Sequence, residues 1–471
     1  MSKEVRENPR LRFTMLCALL VCAAFAYAQD NLQLDRQFQS AVAQFDAGHF
    51  TQAATQLEAL LPLAPNSFEI HELLGQSYAS LSRDDKAIEH LQAAVRLKPD
   101  SAPARTNLAA SLSHAGKTAS AGEQFRKALE LEPQSFLANH NLGEFFIQSE
   151  KIGDALPFLQ QAQRIDPASY DNGYDLAQAC FLTGRLNEAR QTVQSLLEKK
   201  NTAELHNLLG QIEEKDGKFI AAANEFQTAA HMDQTEDNLF DWGSEMLLHR
   251  TYEPAIAVFE QATQRYPQSP RLLIGLGLAL YWRGKYDEAV QALLKAADLN
   301  PSDPRCYLFL SKAYYSAPNQ AAEVIQSFRR FAELQPGNAL AQYYLAMSLW
   351  KGKRAEDASL DLQKIESLLR RSVALDETLP EPHVQLGNLY AGQHLYDKSI
   401  EEYTRALQID PNLSDAHYRL GTDYVHTGQK ESSQKEFAIY QKLRSEHLAE
   451  IDKERAEVQQ FFYSTQAEGS R

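Results

Sequence analysis

Side chains capable of chemistry are few in this sequence, and they are poorly grouped. His71-Glu72 begins as a zinc-protease H-E-x-x-H motif would, but residue 75 is Gly, so the second imidazole is missing. Cys180 and Cys306 are 126 residues apart with no C-x-x-C neighbour, which spells out neither a zinc knuckle nor a redox pair. Both are expected to be small buried apolar residues. No G-x-x-x-x-G-K-[ST], G-x-G-x-x-G or G-x-S-x-G falls between a strand and a helix. The expectation is therefore a non-catalytic chain with no metal ligand and no cofactor; a hydrolase with an unrecognised site is the remote alternative.

One stretch carries a different chemistry, that of recognition. Residues 270–355 hold eleven Lys and Arg against six Asp and Glu, a local charge of +5 in a chain of −15. Tyr281, Trp282, Arg305, Lys312, Tyr315, Tyr343, Tyr344 and Trp350 are the candidate partner-binding residues within it, because aromatic and Arg side chains are the usual anchors of protein interfaces. Tyr281, Tyr315, Tyr343 and Trp350 fall at spacings expected to face a groove. Two readings stand: these rings fill a core, or they line a partner groove preferring acidic or aromatic peptide segments.

The elements that would position these residues begin after the N-terminus. Lys3, Arg6, Arg10 and Arg12 precede an apolar run from Phe13 to Ala26, which ends in Ala26-Tyr27-Ala28. A basic leader, a short apolar segment and a small-x-small end read as a secretory signal peptide over 1–28. A retained anchor helix is the rival reading, but the run falls short of the roughly 20 residues that span a bilayer. Cleavage removes four cations and two carboxylates, taking the net charge from −15 to −17. So acidic a chain is expected to bind no nucleic acid, and no later apolar run is long enough to cross a membrane. The expected location is periplasmic or secreted.

From there the chain repeats. Ala recurs at 53, 87, 121, 155, 189, 222, 255 and 289, in steps of 33 or 34. Pro marks the same interval at 65, 99, 133, 167, 267, 301, 336 and 411. A third series is uniformly small, from Ala41, Gly75 and Ala109 through to Gly387 and Gly421. Each interval contains two helical patterns. Phe68, Leu74 and Tyr78 lie on the first, a break is expected at Ser82–Asp85, and Ala87, Leu91, Ala94 and Leu97 follow at three- and four-residue steps. Small residues let the two helices approach, and larger ones fill the flanking holes.

The run Leu74-Gly75-x-x-Tyr78…Ala87…Leu91…Ala94…Pro99 resembles the tetratricopeptide repeat position by position, and Leu386-Gly387-x-x-Tyr390…Tyr403…Ala406…Pro411 is nearly as close. The resemblance covers about twelve units, from residue 34 to about 447. It implies an all-α, right-handed α-solenoid of stacked helix–turn–helix repeats over 29–447, closed by a capping helix that ends in a tail over 448–471. It also implies a protein or peptide partner held in a concave groove lined by first helices. The Lys, Asn and Arg set with which some members capture a C-terminal carboxylate is missing here, since Asn107 has Thr106 beside it and the preceding unit offers Glu72 and Gln76. A second expectation, from a different class, is a structural subunit of an envelope secretion, polysaccharide-export or outer-membrane assembly. The units ending near Asn201 and Gln234 lack the Pro, and about seven extra residues after Trp350 read as a longer interhelix loop.

Overall fold

Most repeats are started and stopped by the same local chemistry, though Pro380–Gly392 and Ser414–His426 begin after Leu379 and Leu413 with no side-chain cap. The residue before each Pro is driven out of helical geometry, as at Lys98 (φ −136°, ψ 80°), Tyr266 (−122°, 68°) and Asp410 (−130°, 100°), so the preceding helix ends there. Two residues after the Pro a side-chain oxygen restarts the chain. Ser67, Ser101, Ser135, Ser169 and Ser269 each accept a hydrogen bond from the backbone N–H three residues on, satisfying one of the unpaired donors at the start of a helix. In the two Pro-less intervals Thr202 and Thr235 do the same work. The linker carbonyl is satisfied as well. Pro65, Pro99, Pro133, Pro301 and Pro411 each offer an oxygen to a side chain six residues on, at His71, Arg105, Asn139, Tyr307 and His417.

The turn inside each hairpin also recurs. It needs one residue with positive φ, and Gly48, Gly116, Gly184, Gly217, Gly284 and Gly428 supply it at 72° to 86°. Ser82, Glu150, Arg250 and His394 hold the equivalent place at 53° to 61° despite their side chains. In the second interval the first helix is Phe68–Ser80 and the second begins at Asp84. The break is therefore shorter than Ser82–Asp85: Asp84 and Asp85 belong to the first turn of the helix, where carboxylates face its positive end.

The computed structural model describes residues 33–316, 318–351 and 361–445, and every regular element among them is helical. The expected leader (1–28), most of the extra residues after Trp350, and the expected tail (448–471) lie outside the described residues. No helix among the described residues is long and apolar enough to cross a membrane.

Packing explains the uniformly small series. A Cβ added at Gly75 would stand 2.4 Å from Leu91 Cγ, and at Gly143 2.5 Å from Leu159 Cδ2. At Gly210, Gly243, Gly387 and Gly421 the obstacle is a ring: Phe226, Phe259, Tyr403 and Phe437 respectively. The first helix of each hairpin gives up volume for one large residue on the second, and dense packing leaves no slack for both. Leu74, Ala87, Leu91, Ala94, Leu142, Leu159, Phe259 and Leu293 are fully buried on these seams. The described residues fall into two compact units that divide between Asn201 and Thr202, each a run of stacked helical hairpins.

Candidate functional site

In the second unit four successive first helices, Pro304–Ser316, Ala339–Lys351, Pro380–Gly392 and Ser414–His426, present one face to a groove of about 490 Å³. Ser311, Tyr314 and Tyr315 come from the first of them, and Met347, Ser348, Trp350 and Lys351 from the next. Gln385 and Asn388 follow on the third and Arg419 on the fourth, with Phe328 and Tyr344 at the base. No carboxylate lines the groove among the described residues.

Three features give the groove its chemistry. Tyr315 is 71% exposed, and Lys351 Nζ stands 3.5 Å from its ring centroid, a cation–π contact. Burial holds the Lys351 ammonium below its usual pKa, because lost hydration disfavours the charged form. The Tyr314 side chain is buried, and its hydroxyl has no hydrogen-bond partner among the described residues. Behind the wall, Tyr403 Oη donates to Asn388 Oδ1 at 2.6 Å, and Asn388 Nδ2 donates to Gln385 Oε1 at 2.9 Å. These bonds fix the orientation of the polar lining.

Of the eight candidate residues, the structure brings Tyr315, Trp350 and Tyr344 to this groove. Tyr344 reaches it only from below: it is 5% exposed and packs on Phe328 and Tyr343 with centroids 5.6 Å away, so it is core. Tyr343 packs against the apolar clusters on either side of its helix, and burial pushes its hydroxyl pKa up. Tyr281 and Trp282 form an edge-to-face pair at 5.5 Å outside the groove lining. Arg305 is committed to Asp303, 3.0 and 2.9 Å from its two oxygens at the start of a helix, and Lys312 lies half-buried outside the lining. The stretch stands out for charge and rings together, but Tyr343 and Tyr344, two of its six candidate rings, pack inward. Tyr314, Met347, Gln385, Asn388 and Arg419 escaped sequence reasoning because none departs from the composition of its repeat. Lys351 entered only the charge count.

The cysteines behave as expected of apolar filler. Both are buried and unpaired, and burial lifts the Cys180 thiol to about 11. His71 Nδ1 faces His90 Nδ1 at 3.1 Å, with no third ligand-type residue grouped with them among the described residues. In the first unit, however, His140, Glu144 and Asp175 converge, with ligand atoms all within 4.8 Å of one another. Burial raises the Asp175 carboxyl to about 6; His140 opposes the shift while Glu144 and Asp171 add to it.

A run of helical hairpins presenting a groove of successive first helices defines the class: a helical-repeat scaffold for protein interaction. The chain belongs to the tetratricopeptide-repeat family. Three profiles described as tetratricopeptide repeats match residues 38–102 and 106–170, 146–212 and 247–314, and 380–413. Among curated proteins it is 26% identical over 220 residues to human Protein O-mannosyl-transferase TMTC1, covering 45% of this chain and 23% of that protein. It is 23% identical to Tetratricopeptide repeat protein 37 of Xenopus laevis over 281 residues, 56% of this chain and 17% of that one. The chain thus spans a quarter or less of these relatives. Among solved structures, the C-terminal part of a TPR repeat-containing protein from Cytophaga hutchinsonii matches 51% of this chain and 96% of its own at 19% identity, with a TM-score of 0.43.

Proposed function

We propose that this chain is an exported, non-catalytic scaffold that holds an extended segment of a partner protein in the groove of its second unit, selecting acidic and aromatic side chains. One observation carries the reading: a lining of rings, amides, Lys351 and Arg419 with no carboxylate among the described residues, inside a chain whose net charge is −15. Charge complementarity of this kind selects partners and speeds their encounter. The partly desolvated Lys351 favours an occupant bearing carboxylates. Export rests on the basic, apolar, small-x-small leader. The match to the mannosyl-transferase covers 23% of that protein, so no transferase activity is assigned here.

The test uses the chain without residues 1–28 and a fluorescein-labelled decapeptide of alternating Glu and Phe, against a copy with Lys for Glu. The acidic peptide is expected to bind more tightly, with affinity falling as salt rises. Trp350→Ala is expected to weaken binding about 30-fold, the range of an interface anchor, and Lys351→Met about tenfold. Equal binding of the two peptides, or binding untouched by either substitution, overturns the reading.

A further inference from the structure

We propose that the first unit carries a divalent transition-metal site, suited to Zn²⁺, built from His140, Glu144 and Asp175. His140 and Glu144 are four residues apart on the helix Phe136–Gln148 and so share one face. Asp175 reaches them from Tyr170–Leu182, the first helix of the next repeat. One imidazole nitrogen and two carboxylate oxygens, mutually within 4.8 Å, form a donor set that zinc accepts. Ligand atoms around a tetrahedral zinc ion with bonds of about 2.1 Å stand about 3.4 Å apart. The three ligand atoms already stand within 4.8 Å of one another, so side-chain rotations of about an ångström would close the site without backbone movement.

Two independent features distinguish this trio from a chance grouping. The first is how the imidazole is held. The ring of Phe136 stacks on His140, with centroids 5.5 Å apart and planes 13° from parallel. Fully buried Asn172 donates its amide to Leu159 O at 3.0 Å and Gln163 Oε1 at 2.7 Å, which turns its carbonyl oxygen toward His140 Nδ1 at 3.3 Å. An acceptor there puts the ring proton on Nδ1 and leaves Nε2 as the nitrogen that would hold the metal; groups in that position behind metal-binding histidines set the tautomer and the ring orientation. The second is charge. Neither Glu144 nor Asp175 is paired with a Lys or Arg among the described residues, and Asp171 adds a further carboxylate nearby. The side chains of His140 and Asp175 remain 14% and 24% exposed, which leaves a path for the ion. The site lies in a different unit from the groove and stands or falls separately from it.

The experiment takes the chain without residues 1–28, strips it with EDTA, removes the chelator and titrates it calorimetrically with ZnCl₂. One equivalent is expected to bind, and His140→Ala and Asp175→Asn are each expected to weaken it at least about tenfold. Thermal melting of both variants in EDTA checks that the fold is intact. Co²⁺ added in place of Zn²⁺ is expected to give a visible ligand-field band that His140→Ala abolishes. His90→Ala removes one of the facing histidines elsewhere in the unit and is expected to change nothing. Absence of one-equivalent binding, or binding that survives His140→Ala and Asp175→Asn but not His90→Ala, overturns the proposal.

Discussion

The two units share one framework and furnish it differently. Both restart helices with Ser or Thr caps, and both turn their hairpins on a positive-φ residue. In the first unit, Leu91 and Leu159 fill the space that Gly75 and Gly143 leave; in the second, Phe226, Phe259, Tyr403 and Phe437 do so opposite four glycines, and Leu293 does so opposite Gly277. The first helices diverge further. Those of the first unit bring together His140, Glu144 and Asp175, whereas those of the second offer rings, Lys351 and Arg419. The lesson is that the repeat constrains the seam between helices and leaves the outward first-helix positions free. The groove and the His140 cluster both occupy those positions, so separate repeats of one chain present different chemistries.

The seam offers the sharpest way to break this comparison. A methyl at Gly275 would stand 2.5 Å from Phe259 Cε1, part of a rigid ring already pressed against Gly243. A methyl at Gly143 would meet Leu159, with Cδ2 2.5 Å and Cγ 2.7 Å away, but an aliphatic side chain yields more readily than a ring. Ala in place of Gly inside a helix gains up to about 1 kcal/mol of propensity, and overpacking costs about 1–3 kcal/mol. Gly275→Ala is therefore expected to destabilise the second unit by about 2 kcal/mol, and Gly143→Ala the first by less than about 1 kcal/mol. Urea unfolding followed by hydrogen exchange in each unit reads both. Phe259→Leu in the Gly275→Ala background is expected to recover part of the loss. Equal costs at the two glycines would show that ring and aliphatic seams are mechanically alike.

A second difference concerns pH. Glu245 is 2% exposed in the second unit, and neither of its oxygens accepts a hydrogen bond among the described residues. Burial, reinforced by Glu214, raises its carboxyl to about 8, with His249 Nε2 standing 3.3 Å from Oε1. Because the folded value lies above the unfolded one, the native state binds the extra proton between about 4.5 and 8. Glu245's contribution is thus fully present below about 4.5 and is lost as pH rises through about 8. Glu245→Gln keeps the shape and removes the titration. The variant is expected to melt a few degrees above the parent at pH 8.5 and to converge with it near pH 5. Identical pH profiles would show that His249 already neutralises the carboxylate.

The periodic features were the legible part of this sequence. Alanine, proline and small-residue series point to paired helices at a 34-residue interval, and the described elements are such hairpins, because close helix packing and helix termination each admit few residue types. Pro-x-Ser was equally periodic; its meaning as a stop followed by a cap emerges once Ser67, Ser101 and Ser135 are seen accepting from the next turn. The sites were less legible. Tyr343 and Tyr344 are adjacent on one helix, yet which of two neighbouring rings faces a groove depends on how the next hairpin is rotated, and that rotation is set by contacts distant in sequence. His140 and Asp175 are 35 residues apart; this one-repeat offset looks unremarkable in one dimension and becomes a contact only when hairpins stack.

The smallest effect tests whether the shared framework is truly shared. Glu150 in the first unit and Arg250 in the second hold φ of 59° and 61° at the turn where six other repeats use glycine. A side chain in left-handed geometry crowds its own backbone, costing about 1 kcal/mol relative to glycine at the same angles. Glycine recovers that strain but loosens the unfolded chain, which offsets part of the gain. Glu150→Gly and Arg250→Gly are therefore each expected to stabilise their unit by about 0.5 kcal/mol, within error of one another, in paired urea titrations. The turn geometry is the same in both units, and neither Glu150 nor Arg250 lines the groove or belongs to the His140 cluster. Peptide binding and zinc binding should accordingly be unmoved. A gain in one unit with a loss in the other would mean that the turns answer to their local surroundings, and that the units differ in framework as well as in furnishing.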